Sequence, residues 1–309
     1  MASRSLHSGQ VILSMNRPGR AILLSIILSL AVANACFAAA TDGYRVGFAS
    51  QAVSVTSPGS EGLTLNGIVR LEGTSTLEAV WFCMKGPAGE ITAFSAAVSG
   101  GRFGTEAYLR FGPGTYTIWA GPSQGTFDGT IRFTVVNSQA QDTRYLAPSA
   151  YIDSTDAGVV KQAGMLVKTG MADLEKVQAI YDWVAGNITF DSDGHFAGLN
   201  RLVPASQVLR ERTGTCRDYS FLVAAMARAL GIPVRVVYGQ AFSREDETGA
   251  RDQVLHAWDE ALVDGKWISL DATFGAGYVD GDRFVPQVSR SYFNLAAGRT
   301  HLVTTVTYH

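Results

Sequence analysis

The chain has 309 residues, of which 47% are hydrophobic and 17% are charged, so it carries enough apolar material for a large core. Its formal net charge is −2 at neutral pH. This balance argues against the basic surface of a nucleic-acid-binding protein and against an acidic solvating tail, so we expect no nucleic-acid partner.

The first 40 residues have the features of a secretory signal. Two arginines precede an uncharged apolar run over 21–33, AILLSIILSLAVA, and small residues follow it. The Ala-x-Ala ending predicts cleavage before Thr41 and a mature protein that is secreted or in the cell envelope. The run is shorter than the roughly 20 residues of a membrane span, so we expect no stable membrane insertion after cleavage. An uncleaved anchor and lipid attachment at Cys36 remain alternatives.

Cleavage before Thr41 would leave two cysteines. Cys83 lies in AVWFCMK, a pattern typical of a buried strand, where cysteine often serves as a small apolar side chain. A Cys83–Cys216 disulfide is the alternative in an exported protein. The first interpretation leaves Cys216 as a free thiol in an oxidising compartment, which indicates a functional role.

Residues 41–137 predict an all-β domain. Five runs carry strand-like patterns, namely LTLNGIVRLEG, TLEAVWFCMKG, ITAFSAAVSGG, EAYLRFGPGTYTIWAG and GTIRFTVVN. Turn residues recur at the spacing of about 8–12 residues that is typical of a sandwich. We therefore expect an immunoglobulin-like sandwich, and its lack of clustered His, Asp or Glu indicates binding or spacing rather than chemistry.

Residues 138–149 are polar and irregular, and we interpret them as a linker to a second domain over 150–309. Apolar residues at three and four spacing predict helices over 157–168 and 173–188. Strand patterns follow the helices toward the C terminus. This order predicts an α+β fold with an antiparallel sheet rather than a parallel βαβ fold.

Cys216 begins another helical segment. The letters TGT precede it, and helical spacing continues until GIP at 231–233. At a helix N terminus the unpaired backbone N–H groups and the helix dipole favour a thiolate, and the same groups can stabilise an oxyanion beside the sulfur. The alternative is a buried cysteine that packs under the helix.

The segment LHAWDEALVDGKWISLDAT predicts a β-hairpin. The Asp-Gly pair at 264–265 is a strong signal for a two-residue turn. Pairing across this turn sets Trp258 opposite Asp271 and His256 opposite Thr273, all on one face of the hairpin. His256 and Asp271 are then diagonal neighbours, close enough for a carboxylate to reach an imidazole.

Cys216, His256 and Asp271 together suit nucleophilic catalysis. A thiol is a weak nucleophile until it loses its proton, and histidine can take that proton near neutral pH. A carboxylate behind the imidazole fixes its tautomer and stabilises the imidazolium. We therefore interpret Cys216 as the nucleophile, His256 as the base and Asp271 as the orienting acid.

The runs TGTCRDYSFLVAAMARALGIPVRVVYGQ and HAWDEALVDGKWISLDATFG resemble the core of transglutaminase-like proteins of an exported bacterial type, and KVQAIYDWVAGNITFD resembles the segment that leads into this core. The resemblance spans roughly 157–274. It implies a papain-like fold in which the cysteine helix packs against an antiparallel sheet that carries the histidine and the aspartate. It also implies acyl transfer from an amide, through a thioester, to water or to an amine.

Two hypotheses about function stay open. The first is an exported cysteine enzyme that hydrolyses peptide or isopeptide bonds or crosslinks proteins, with a protein, peptide or cell-wall substrate. The second is a non-catalytic scaffold or binding protein of the cell envelope with an inert transglutaminase-like domain. Neither requires a cofactor.

Three other features could have a functional role, but a structural role fits each of them as well. Gln207 could donate to an oxyanion, although a surface role fits its position as well. Trp258 could shield the His–Asp pair or serve in the core. The FDSDGH segment over 190–195 has a metal-like composition but lacks the acidic twelfth residue of a calcium loop, so we interpret it as a turn and expect no metal.

Overall fold

The computed structural model describes residues 46–196, 202–242, 253–295 and 302–308. The predicted signal over 1–40 and its cleavage site lie outside the described residues. Within the described ranges, no helix is both long and apolar enough to cross a membrane.

The N-terminal half is built from two sheets that pack face to face. One sheet has the order β1-β3-β6, and the other has the order β2-β8-β7-β4-β5. Leu71, Phe82 and Phe133 belong to the buried cluster between them, because alternate side chains of each strand point inward. The predicted sheet domain is confirmed, and its immunoglobulin-like class stays a prediction. The strands are β1 (Val53–Ser57), β2 (Leu63–Leu65), β3 (Ile68–Ser75), β4 (Ala79–Lys85), β5 (Ile91–Ala97), β6 (Arg102–Tyr108), β7 (Gly114–Gly121) and β8 (Ile131–Asn137).

Cys83 corrects one sequence interpretation. It is fully buried in β4 and packs with Trp119 and Phe127, as a core strand residue should. However, it is disulfide-bonded rather than a plain apolar side chain. Cys216 is free, so the alternative of a Cys83–Cys216 disulfide is wrong.

Helices come first in the C-terminal half, as predicted. Val177, Ile180 and Tyr181 belong to the apolar stripe of the second helix, and all are fully buried. The cysteine helix is the centre of this half, because its residues from Asp218 onward are buried against helices on one side and a sheet on the other. The helices are α1 (Ala157–Leu166), α2 (Asp173–Asn187), α3 (Ser192–Phe196), α4 (Ala205–Glu211), α5 (Cys216–Ala229) and α6 (Ala272–Ala276), and Arg290–Tyr292 forms a 3-10 turn.

The main sheet of this half is antiparallel and has the order β13-β12-β11-β16. A short parallel pair, β9 with β10, and a short antiparallel pair, β14 with β15, lie outside it. Helices beside an antiparallel sheet confirm the predicted α+β class. The strands are β9 (Thr189–Phe190), β10 (Thr213–Gly214), β11 (Val234–Phe242), β12 (Gln253–Val263), β13 (Lys266–Leu270), β14 (Gly277–Asp280), β15 (Arg283–Pro286) and β16 (Leu302–Tyr308).

The hairpin of β12 and β13 has the predicted register. Val263 pairs with Lys266, and the ladder continues without a bulge to the pair Asp259–Leu270. Both turn residues at 264–265 have positive φ, of 50° and 74°. Such a turn matches the right-handed twist of the strands that it joins, so the Asp-Gly pair sets the register locally.

Beyond that point the predicted pairing is wrong. Trp258 does not pair with Asp271, and His256 does not pair with Thr273, because β13 ends one residue before the aspartate. Asp271 instead caps α6, and its Oδ1 accepts the backbone N–H groups of Thr273 and Phe274 at 3.1 and 3.0 Å. An aspartate that can satisfy free N–H groups favours a helix start over further strand.

The segment over 138–149 is in contact with both halves of the chain. The backbone N–H of Thr143 donates to the carbonyl of Arg110 in the N-terminal half. On the other side, Nη1 of Arg228 donates to the carbonyl of Ala147 at 2.8 Å. The domain boundaries stay a prediction, but this segment is anchored by hydrogen bonds at both ends.

Candidate active site

Cys216 is the first residue of α5, as predicted, and its free thiol is half-exposed. The preceding Thr215 is held by Asp218, whose Oδ2 accepts both the backbone N–H of Thr215 at 2.7 Å and its hydroxyl at 3.0 Å. Gly214 leaves room for this cap, because a Cβ there would lie 2.4 Å from the Cβ of Asp218. The helix start that carries the thiol is therefore fixed on two sides.

His256 and Asp271 form the predicted pair. Nε2 of His256 lies 2.7 Å from Oδ2 of Asp271, and both side chains are buried. Since Oδ1 of the aspartate accepts from the backbone of α6, each carboxylate oxygen has a separate task. One oxygen holds the carboxylate on its helix, and the other holds the imidazole.

Burial and the neighbouring side chains act on the pKa of His256 in opposite directions. Burial lowers the pKa of the imidazole, but the Asp271 charge, its hydrogen bond and a hydrogen bond to Cys216 outweigh burial and raise this pKa to about 10. The imidazole is thus hydrogen-bonded to Asp271 on one side and to the thiol on the other. A protonated imidazolium beside the sulfur favours its thiolate form.

Aromatic rings enclose the imidazole. Phe274 stacks on His256 with the ring centroids 4.5 Å apart, and Trp258 lies on the same strand at 6.4 Å. Tyr292 contacts Phe274 edge-on at 5.7 Å. Trp258 is itself buried, so it both packs in the interior and limits the access of water to the imidazole.

Residues 161–272 match the family model described as the transglutaminase-like superfamily. This part of the chain belongs to that superfamily. Cys216, His256 and Asp271 all lie within the matched range, whereas the N-terminal sheet domain lies outside it.

The chain is also similar to two curated proteins. Kyphoscoliosis peptidase from Mus musculus is 26% identical over 137 residues, which are 42% of this chain and 21% of that protein. The Homo sapiens protein of the same name is 26% identical over 126 residues, which are 40% of this chain and 19% of that protein. The chain therefore spans about a fifth of the length of these relatives.

Several solved structures are similar at lower identity. A candidate cysteine protease from Cytophaga hutchinsonii is 18% identical, with 78% of this chain and 86% of that chain covered and a TM-score of 0.37. The periplasmic domain of TgpA from Pseudomonas aeruginosa is 14% identical, with 75% and 76% covered and a TM-score of 0.31. Red sea bream transglutaminase is 10% identical, with 73% and 51% covered and a TM-score of 0.32.

His195 lies beside the transglutaminase-like site. The sequence interpretation did not place this histidine there. Its ring contacts Phe190 with the centroids 5.4 Å apart. Phe190 pairs with Gly214 in the β9–β10 ladder, and the backbone N–H of Asp191 donates to the Gly214 carbonyl, which brings this segment next to the cysteine. Burial, and then the charge of His256, lower the pKa of His195. A two-residue strand is too short to recognise from its pattern, so the sequence carried no usable signal.

The sequence analysis considered Gln207 as a donor to an oxyanion, but its side chain has a different partner. Its Nε2 donates to Oε1 of Glu211, one turn further along α4, at 2.9 Å. This contact lies on the exposed face of that helix and explains the glutamine without a catalytic role. Among the described residues, no cluster of His, Cys, Asp or Glu could hold a metal ion.

Asp259 is a second buried carboxyl group in the transglutaminase-like core, and the sequence did not single it out. It is 1% exposed. Burial, and then the charge of Asp271, raise the pKa of Asp259 well above its usual range, while Ser220, Arg228 and His256 act in the opposite direction. The folded protein therefore favours the neutral form of this group more than the unfolded chain does.

Proposed function

We propose that this chain is an exported cysteine enzyme that transfers the acyl group of an amide in a protein or peptide substrate. The observation that carries the proposal is the His256 imidazole, which contacts Asp271 at 2.7 Å and is hydrogen-bonded to the Cys216 thiol. A nucleophile, a base and an orienting carboxylate in this order are the parts of a catalytic triad.

The first half of the proposed reaction forms a thioester. The Cys216 sulfur attacks the carbonyl carbon, a C–S bond forms, and the carbonyl oxygen becomes an oxyanion that backbone N–H groups at the start of α5 can stabilise. As the tetrahedral intermediate collapses, the imidazolium of His256 gives its proton to the leaving nitrogen. The C–N bond breaks and an amine departs.

The second half releases the acyl group. Water or an amine attacks the thioester carbon, and His256 takes the proton from the attacking group. The C–S bond then breaks and the thiolate of Cys216 is restored. Water as acceptor gives hydrolysis of a peptide or isopeptide bond, and an amine gives a crosslink. We favour hydrolysis because water is always present at a half-exposed thiol.

The exported location rests on the signal-like segment at the N terminus. A periplasmic or extracellular protein meets peptides and cell-wall material as substrates. The N-terminal sheet domain, which lies outside the superfamily match, would then serve to bind or to space the substrate rather than to act on it.

Alkylation of the purified folded protein with iodoacetamide near pH 6 tests the proposal. We expect fast and selective modification of Cys216, because an imidazolium partner keeps its sulfur reactive below the pH at which ordinary thiols react. Incubation with peptide and cell-wall substrates, followed by mass spectrometry, should then show a product that the Cys216→Ala variant does not form. A thiol that reacts no faster than free cysteine, together with no product, would favour the scaffold hypothesis.

A further inference from the structure

A buried arginine lies where the two halves of the chain meet. Arg110 follows β6 and is 3% exposed. Its guanidinium lies over the Phe111 ring, 4.9 Å from the centroid. Among the described residues, its Nη1 has no hydrogen-bond partner. Burial of a charged donor without a partner costs free energy, so a ligand at this atom would stabilise the folded protein.

Two more arginines surround the same place. Arg228 is 4% exposed and uses three N–H groups on the backbone carbonyls of Val234 and Ala147, which carry no net charge. The guanidinium of Arg144 also lies near Phe111, 5.4 Å from the ring centroid. Burial and then Arg144 lower the pKa of Arg110 to about 10, and burial and then Arg110 lower the pKa of Arg228 to about 9. Arg110 is therefore close enough to both of the other cations to be repelled by them.

The carboxylates near this cluster pair with the other arginines. Glu90 and Asp142 both pair with Arg144, at 2.8 and 2.7 Å. Asp142 is the weakest of the four influences on Arg110. Asp259 acts on Arg228. Among the described residues, Arg110 itself therefore has no ion pair with a carboxylate.

We propose that a small inorganic anion of the charge and size of chloride binds at Nη1 of Arg110. A water molecule would satisfy the hydrogen bond but would leave the charge of Arg110 uncompensated, whereas an anion supplies both. Arg110 is only 3% exposed, which favours a small anion over a large organic one. It also lies at the junction, because the Arg110 carbonyl accepts from Thr143 and Arg228 holds Ala147. A bound anion would therefore stabilise the contact between the two halves.

Thermal unfolding of the full mature chain tests this site independently of any enzymatic activity. Sodium chloride should raise the Tm by about 2–3 °C for each tenfold increase above its dissociation constant, relative to sodium gluconate at the same ionic strength. Arg110→Met removes the donor and should abolish this chloride-specific rise. Arg102→Met, at an exposed position of the same domain, should keep it. An identical response to chloride and gluconate, or a chloride response that Arg110→Met retains, overturns the proposal.

Crystals of the wild-type protein grown in bromide give a second reading that does not depend on the folding of a variant. An anomalous bromide peak within hydrogen-bond distance of Arg110 Nη1 is the expected result. Density there that carries no anomalous signal, as an ordered water would give, overturns the proposal.

Discussion

At the residue scale, the chemistry of the candidate site depends on the two neighbours of one imidazole. Asp271 holds Nε2 of His256, which leaves the other ring nitrogen for the Cys216 sulfur. The rings of Phe274 and Trp258 pack near the imidazole, at centroid distances of 4.5 and 6.4 Å. If the imidazole keeps the thiol reactive, its removal must lower the reactivity of the thiol.

The first prediction concerns the reactivity of the thiol. In the wild type, the alkylation rate of Cys216 should stay high well below neutral pH. His256→Ala should slow alkylation below neutral pH, because no imidazolium then favours the thiolate, and should abolish turnover. His195→Ala, a matched removal of an imidazole in the same region, should change the profile much less. Identical profiles for wild type and His256→Ala would show that His256 does not touch the thiol.

The second prediction concerns stability against pH. The pKa of His256 is raised from 6.5 to about 10 in the folded state, so its contribution to stability is full below pH 6.5 and is lost as the pH rises through about 10. Asp271→Asn removes the charge that raises this pKa. As the pH rises from 6.5 to about 10, the free energy of unfolding in urea should therefore fall by roughly 2–4 kcal/mol more for the wild type than for Asp271→Asn. Parallel pH dependences of the two proteins would contradict the buried ion pair.

At the scale of single elements, the hairpin and the cysteine helix set the site from two directions. The Asp-Gly turn at 264–265 fixes the register of β12 and β13, which carries His256 and the end of the strand before Asp271 to the same edge. The cap of Thr215 by Asp218 fixes the start of α5. The hairpin also buries the carboxyl group of Asp259. Because burial disfavours the ionised form of this group, it reduces the stability of the folded protein near neutral pH.

The third prediction follows from that carboxyl group. The raised pKa of Asp259 means that its contribution to stability is present below its unfolded pKa of 3.8 and is lost as the pH rises towards the folded value. Asp259→Asn should therefore stabilise the protein at pH 7, by about 2–4 °C in Tm, and should have little effect near pH 3.5. Asp264→Asn, an exposed change in the same hairpin, should leave Tm unchanged at both pH values. A loss of stability in Asp259→Asn at pH 7 would mean that the ionised carboxylate is needed by Arg228.

At the scale of the whole molecule, the segment over 138–149 decides how the two halves relate. It is polar in sequence, yet its backbone groups bond to Arg110 in one half and to Arg228 in the other. A polar connection is a place where proteases cut, whereas these hydrogen bonds and the contact of the Tyr145 and Trp267 rings at 5.4 Å limit how far it opens. The two halves are therefore joined by contacts as well as by the chain itself.

The fourth prediction is that the C-terminal half folds alone. A fragment that begins at Ala150 should keep the reactive thiol of Cys216. A matched fragment that begins at Asp142 retains the Ala147 carbonyl for Arg228 and should be more stable by about 1–3 kcal/mol in urea. Limited proteolysis of the whole chain should cut first within 138–149. If circular dichroism shows both fragments to be unfolded, the two halves share a core and the proposed boundary is wrong.

The fifth prediction is that the mature protein begins at or near Thr41. Mass spectrometry of the N terminus, on protein from the envelope or the medium, should find residues 1–40 removed. Retention of the 21–33 run, with the protein in the membrane pellet, would defeat the cleaved-signal prediction.

Much of this fold was readable from the sequence because the signals are local. The apolar stripe of α2, the turn at 264–265 and the start of α5 at Cys216 each depend on residues a few positions apart, and the structure confirms all three. The superfamily assignment was equally accessible, since the residues that carry it lie in two continuous runs.

Other features required the tertiary structure, because they join residues that are far apart in the chain. The end of β13 before Asp271 reflects competition between a strand and a helix cap, and His195 reaches the site through a two-residue strand. The surroundings of Arg110 arise only when separate segments pack together. Sequence patterns determined most of the elements and the positions of Cys216 and His256 on them. Packing decided that Asp271 caps a helix, and it decided the charges and neighbours that the three residues meet.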